Sequence, residues 1–271
     1  MTTTQASAPT RTRVDTGRRL TFIRALRGEW IKLATLRSTW WSIGIAAALT
    51  VGIAVLIAFA VEAPDFEPIQ AAIMPFQFTM LLAGIIGAIS VTGEYSTGMI
   101  RSTLTANPVR GSVLAAKSIV LAVFLFVSSL VIFTTAAIAA SLIRAPQGQT
   151  IDWSDPAMSI QPLLVASLSM AVFTLIGVSF GFVLRSGAGA IAATVGVLFV
   201  LPIVANFFTF AGKSWEWLVT AANYLPVSAA QSAIMPGEGT ALEAPVAFLT
   251  LGCWVVGGAL LAWGVLRVRD A

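Results

Sequence analysis

Three short runs in this chain have the spelling of chemical motifs. Gly177-Val178-Ser179-Phe180-Gly181 matches G-x-S-x-G, the turn that presents a nucleophilic serine in many hydrolases. Such a serine needs a base to take its proton, usually histidine. The chain has no histidine, and no lysine falls inside any of its long apolar stretches. The run is therefore read as G-x-x-x-G, a face of small residues that lets two membrane helices approach closely. Gly212-Lys213-Ser214 has the ending of a phosphate-binding loop, but the first glycine of that motif would fall on Phe207. Gly187-x-Gly189-x-x-Ala192 opens an apolar helix with no strand before it, so it is not a dinucleotide fingerprint. The single cysteine, Cys253, rules out an internal disulfide and a paired-thiol metal site, and is expected to be a small packing residue. No catalytic residue and no cofactor is expected.

The elements that carry these runs are apolar and long. Of 271 residues, 57% are hydrophobic and only 10% charged, against roughly 25% charged in an ordinary soluble domain. Six charge-free stretches yield expected spans near residues 39–61, 70–92, 118–142, 161–184, 187–210 and 245–266. Each is long enough, since about 20 helical residues cross a ~30 Å hydrocarbon core. Residues 1–17 are polar, without apolar periodicity, and read as a disordered cytoplasmic tail; 18–271 read as one all-α transmembrane domain. Every charge lies outside the six stretches. Ion-coupled carriers commonly place ionisable groups within their spans, so this pattern favours a protein energised from elsewhere, or a passive one.

Charge also orients the chain. With the N-terminus in the cytoplasm and six spans, fourteen of the sixteen Lys and Arg fall inside, and only Arg144 and Lys213 outside. A seventh apolar stretch, 217–237, holds Asn223, Pro226, Gln231 and Pro236. Counting it as a span would move Arg267 and Arg269 outside, so it is read as a re-entrant or surface-lying element on the outer face. Trp40, Trp41 and Trp263 fall at inner ends, and Trp153, Trp215 and Trp217 near outer ends, as aromatic belts do. Pro75 and Pro202 interrupt the second and fifth spans and are expected to kink them. Gln77 lies two residues after the first and Asn206 four after the second, and with the prolines they are the candidates to line a pathway.

Two segments flank the spans on the inner side. In residues 18–37, Phe22, Leu26, Trp30 and Leu33 recur at helical spacing, with Arg24, Arg27, Glu29 and Lys32 among them. This suits a helix lying in the membrane interface with its bases toward anionic headgroups, or an ordinary helix packed on a partner. The bases are thus accounted for by lipid, and no nucleic-acid partner is expected. After the second span, Glu94 precedes a short segment in which Ser96 or Thr97 could cap a helix carrying Met99, Ile100 and Leu104 on one face, with Arg101 pointing elsewhere. Pro108 would end it.

This segment resembles the permease subunits of ABC-2 type transporters. These commonly show an acid ending the second helix, then G-x-[IL]-R-x-x-L, a proline followed by a base, and a lysine leading into the third helix. Gly98, Ile100, Arg101, Leu104, Pro108, Arg110 and Lys117 fit, as do Glu29, Lys32, Leu33, Arg37 and Ser38 before the first span and Tyr224-Leu225-Pro226 before the last. Tyr95 and Ser96 depart from it, standing where many relatives carry charges. The resemblance implies an exporter permease in a bacterial plasma membrane, with both ends cytoplasmic and two permease chains, identical or paralogous, paired to form the pathway. It implies a separate ATP-binding subunit seated against the N-terminal helix (Arg24, Arg27, Glu29, Trp30, Lys32) and the short helix (Glu94, Met99, Ile100, Arg101, Leu104, Arg110). A secondary carrier or channel, and a non-transporting anchor subunit, are the alternatives.

Overall fold

The computed structural model describes residues 21–63, 66–106, 109–210, 212–235 and 240–268. The polar tail 1–17, Pro108, Pro236 and Arg269 lie outside them. The described residues form helices and no strand. Helix α1 (Phe22–Thr35) leads into α2 (Arg37–Ala60), with an extended backbone at Leu36 marking the boundary. A broken pair follows, α3 (Pro68–Ile73) and α4 (Phe76–Ser96), then the short α5 (Met99–Ala106) and the long α6 (Arg110–Arg144). Next come α7 (Ile160–Leu184), α8 (Gly187–Val195) and α9 (Leu201–Phe207), the short pair α10 (Glu216–Ala222) and α11 (Pro226–Ile234), and α12 (Ala244–Val268).

Among the described residues, six helical stretches are long and apolar enough to cross a membrane: α2, α3–α4, α6, α7, α8–α9 and α12. They coincide with the six charge-free stretches. α7 is the central one. Of its most apolar window 72% is buried, against 22% for α2, for α8–α9 and for α12, so those three present most of their surface outward. An even number of spans puts α1, α5 and the end of α12 on one face of the bundle, and the α10–α11 pair on the other.

Both prolines act where the sequence places them. Pro75 lacks an N–H, and the helix breaks between Ile73 and Phe76. The carbonyl of Pro75 accepts from Phe78 N–H (3.0 Å) and the Thr79 hydroxyl, and Thr79 shares a buried 2.7 Å hydrogen bond with Thr50 of α2. Ahead of Pro202 the helix loosens into one π turn, Gly196–Val200, closed by Leu201 N–H on the Gly196 carbonyl. The α10–α11 stretch is two short helices with different neighbours, α10 beside α9 and α11 between α7 and α12. The first is largely exposed and the second is buried, Ala229, Ala230 and Ala233 being fully covered. Of the two expectations for 217–237, α11 thus follows the one that inserts it into the bundle, because a face of alanines fits between spans. The belt tryptophans Trp40, Trp41, Trp153, Trp215, Trp217 and Trp263 are all exposed. Cys253 departs from the expected packing role, facing outward on α12.

The pairing of α4 with α7 sets the architecture, and glycines make it possible. A Cβ at Gly177 would stand 2.0 Å from the Gly84 carbonyl oxygen, and one at Gly87 would stand 2.1 Å from that of Thr174. At Gly181 it would meet the Val91 Cβ at 2.8 Å. The G-x-S-x-G run is thus a packing notch. Ser179 donates its proton to the Leu175 carbonyl (2.8 Å) and lies against Gly258 of α12, where an added Cβ would meet it at 2.7 Å. Overpacking such a contact typically costs about 1–3 kcal/mol, and here backbone must move. Gly177→Leu should therefore lower the unfolding temperature of the detergent-purified protein markedly. Gly52→Ala, where a Cβ meets nothing within 4 Å, should leave it level or slightly raised. Equal unfolding temperatures would remove the notch from this role.

Candidate functional site: a buried four-charge latch

The two segments singled out at the inner end converge on one cluster. α1 lies against the start of α6, and its inward side carries Glu29 and Leu33. α4 ends with Glu94 inward, and Lys117 comes off the second turn of α6. Lys117 Nζ donates to Glu29 Oε2 (2.6 Å) and Glu94 Oε1 (2.8 Å), and more weakly to the Ser90 carbonyl (3.4 Å). Lys32 Nζ donates to Glu29 Oε1 (2.8 Å) and Glu94 Oε1 (2.9 Å), and reaches the Thr103 hydroxyl of α5 at 3.4 Å. Two carboxylates and two ammoniums thus form a closed ring that sums to zero charge. Glu29, Glu94 and Lys117 are buried, at 8%, 6% and 4% exposure, while Lys32 closes the ring from the rim.

The sequence reading left the spans free of charge, and the structure refines this. The apolar stretches hold none, yet the ionic groups at their ends are drawn into the protein. A buried ion that loses its partner typically costs about 3–5 kcal/mol. Here the bonds couple α1, α4, α5 and α6 to each other. On α1, burial alone would raise the Glu29 pKa, but the adjacent Lys117 charge and hydrogen bond, with help from Lys32, hold it below the usual glutamate value. For Lys32, burial works downward and is outweighed by hydrogen bonds to Glu29 and Glu94, so its pKa is raised.

The other expected residues divide by position. Ile100 is buried at 3% and Leu104 half-buried, so they form the inner face of α5, whereas Met99 is 45% exposed rather than sharing that face. Arg101 points outward with Thr105, as expected. Ser96 and Thr97 do not cap α5. Their hydroxyls donate back to the Gly93 carbonyl at the end of α4, and Gly98, at φ +71°, turns the chain. Arg110 reaches across to α12, donating to the Leu266 carbonyl and so tying the first turn of α6 to the last helix. Arg24 and Arg27 are exposed on α1. Trp30 is half-exposed and meets Phe124 of α6 edge-on at 6.1 Å. Tyr95, where a charge was expected from the resemblance, carries the Arg185 guanidinium over its ring at 5.2 Å.

The kink residues lie elsewhere. Pro75 is buried, Gln77 is exposed on α4, and Asn206 is exposed on α9 with its amide on the Pro202 carbonyl (3.0 Å). None of them touches the charge ring.

Two residues escaped the sequence reading. Lys117 was taken only as the mark of the third helix, not as the centre of a network. Arg144 was taken as a stray outer base. It is in fact fully buried, donating to the carbonyls of Ala58, Val61 and Ala63 and, through Nε, to Gln149 (2.6 Å). It caps the C-terminal end of α2, where a cation is favoured by the helix dipole.

The family described as ABC-2 family transporter protein matches residues 25–212. The chain belongs to the ABC-2 transporter family. That match contains most of α1, the charge ring and five of the six spans. No curated protein matches the chain. The protein is a multi-pass transporter membrane domain, and in this family that component transports rather than catalyses.

The pKa shifts set a pH window for the latch. Glu29, with its pKa lowered, contributes stability above the carboxylate range, lost as pH falls through its folded value. Lys32, with its pKa raised, contributes stability below the ordinary lysine range, lost as pH climbs through its folded value. Protection of α1 amides from hydrogen exchange should therefore hold through neutral pH and fall at both extremes. Lys117→Met should cost about 3–5 kcal/mol and expose α1, while Arg101→Ala should stay within about 0.5 kcal/mol. If Lys117→Met matched Arg101→Ala, the ring would not be holding α1.

Proposed function

We propose that this chain is the membrane-spanning permease of an ATP-binding-cassette exporter, driven by a separate ATPase subunit that docks on the face formed by α1 and α5. The observation that carries the reading is the charge ring. It joins the amphipathic α1 and the short α5 to the inner ends of α4 and α6, so a push on that face reaches two spans through bonds of 2.6–2.9 Å. The outward residues Arg27, Met99 and Arg101 face a docked subunit, with the exposed Arg24 beside them, and Ile100 and Leu104 hold α5 to the bundle. Glu29, Lys32 and Glu94 transmit rather than touch. Arg110 relays the same movement to α12.

In this reading the docking face is cytoplasmic, which the excess of Lys and Arg on that side supports, and the membrane is a bacterial plasma membrane. A second permease chain supplies the other half of the pathway, which the interrupted helices at Pro75 and Pro202 flank with Gln77 and Asn206. ATP binding to the partner selects between two arrangements of the spans. The chain itself needs no cofactor.

The reading is tested by affinity purification of the tagged chain from its native membrane. An ATPase subunit should co-purify, and the reconstituted pair should hydrolyse ATP. Arg101→Glu, a charge reversal on the exposed side of α5, should lower co-purification or uncouple hydrolysis from transport while the unfolding temperature stays unchanged. Full binding and coupling in that variant would remove Arg101 from the interface. Purification with no ATPase partner at all would overturn the proposal.

A further inference from the structure

The link between α7 and α8 is only Arg185 and Ser186, and it decides the direction in which the fifth span leaves the fourth. Arg185 is, among the described residues, the one non-glycine with a positive φ. At φ 54° and ψ 13° it stands in the left-handed region, where its Cβ crowds the following carbonyl and where glycine is usual at a helix end. Ser186 then returns to extended backbone and caps α8, its hydroxyl accepting from Gly189 N–H and its carbonyl from Ala190 N–H (2.8 Å). A link this short has no slack, so a change of φ and ψ at Arg185 redirects α8.

Something must hold an arginine in a conformation it disfavours, and the contacts point to Tyr95. The Arg185 guanidinium lies over the Tyr95 ring, 5.2 Å from its centroid, within the ~6 Å reach of a cation–π contact. The same ring meets the fully buried Phe182, in the last turn of α7, edge-on at 6.4 Å. Gly187, the first residue of α8, passes α4 so closely that an added Cβ would stand 3.7 Å from the Thr92 hydroxyl. The end of α4 therefore takes the end of α7, the link and the start of α8 together. Tyr95 is also the neighbour in sequence of Glu94, so the ring that grips the link stands next to the charge cluster.

The span beyond the link has few other attachments. Ala190, Thr194 and Leu198 form its one fully buried stripe, with Thr194 and Leu198 against Gly84 of α4, and only 22% of its apolar window is buried. We infer that Arg185 and Tyr95 form a sprung clasp: the guanidinium on the ring holds the α7–α8 link left-handed against its own preference, and release of the ring lets the link relax and α8–α9 swing relative to α7. Both are positioning residues for the moving span. The inference does not rest on the docked ATPase, because the clasp lies within one chain and is tested there.

The test is a distance measured by pulsed electron spin resonance in the full chain in nanodiscs. Nitroxides sit on Leu164→Cys of α7 and Phe207→Cys of α9, both exposed positions, in a Cys253→Ser background. The left-handed penalty of a non-glycine residue is worth about five- to thirtyfold in population, so Tyr95→Leu, which removes the ring, should raise a second distance about tenfold. Arg185→Ala, which keeps the disfavoured backbone and loses the guanidinium, should do the same. Tyr95→Phe keeps the ring and should behave as the parent. Arg185→Gly is the deciding variant. Glycine adopts the left-handed region freely, so the parent distance should persist and Tyr95→Leu should become silent in that background. Unchanged distances in Tyr95→Leu and Arg185→Ala would overturn the clasp. So would an equal effect of Tyr95→Leu with and without Arg185→Gly, since a tyrosine that merely packs would disturb both backgrounds alike. Should Tyr95→Leu fail to fold, Arg185→Ala against Arg185→Gly decides alone, and identical distances in those two overturn the inference.

Discussion

Charge that leaves water must be neutralised within the protein, and this constraint organises the inner end of the bundle. Glu29 and Lys32 belong to a helix that lies beside the spans, Glu94 to the end of one span, and Lys117 to the start of another. None could be buried alone, because the desolvation penalty of a single carboxylate or ammonium is several kcal/mol. Together they cancel, and the cancellation fixes where α1 must sit. The exposed side of α1 remains apolar and basic, with Phe22, Ile23, Trp30 and Ile31 outward alongside Arg24 and Arg27. That is the surface an interfacial helix offers to lipid headgroups. One helix is thus held to the protein by ions while its apolar side stays exposed.

The ring contrasts with the way the centre is held. In a bilayer no hydrophobic force drives two apolar helices together, so close van der Waals packing and buried hydroxyl bonds must do it. The glycine notch at Gly84, Gly87, Gly177 and Gly181 brings the α4 and α7 backbones together, and the Thr174 hydroxyl crosses to the Ala83 carbonyl (3.1 Å). Such a joint has little room to change. The peripheral spans are held less tightly: α8–α9 relaxes through a π turn, and α2 is pinned at one end by Arg144 and midway by the Thr50–Thr79 bond. The molecule therefore divides into a stiff centre of α4, α6 and α7 and a surround of helices joined to it at a few polar points.

The spans were legible because a run of about 20 residues without charge has few alternatives in a chain this apolar. The G-x-x-x-G reading of 177–181 held for the same kind of reason: removing histidine left packing as the only use for those residues. The ring was legible only in fragments. Glu29, Lys32 and Glu94 were each picked out, but Lys32 stands 62 residues from Glu94 and Glu29 stands 88 from Lys117, and such separations carry no local signal that the groups meet. Lys117 looked like a flanking base because it stands one residue before an apolar run. Arg144 was hidden by the same rule that oriented the spans, since a base on the minority side reads as noise until its carbonyl partners are seen. The partners of the glycine notch were equally silent, although Gly84-Ile85-Ile86-Gly87 offered small residues at helical spacing within the second span.

The two kinds of joint together restrict how the proposed complex could move. A subunit docked on α1 and α5 meets the bundle first at the charge ring, and the ring is attached to α4 and α6, the stiff part. Force applied there cannot be absorbed by bending α4 against α7, since the glycine contacts leave no slack for it. It must appear as movement of the centre as a unit relative to the loosely held helices. The π turn lies in one of those helices, α8–α9, whose window is only 22% buried, and the proline break at the far end of α4 separates the stiff centre from α3. Packed cores switch between discrete arrangements rather than deforming smoothly. A span already interrupted by Pro75 or loosened ahead of Pro202 is where a second arrangement costs least, because the backbone bonds that a change would break are already absent.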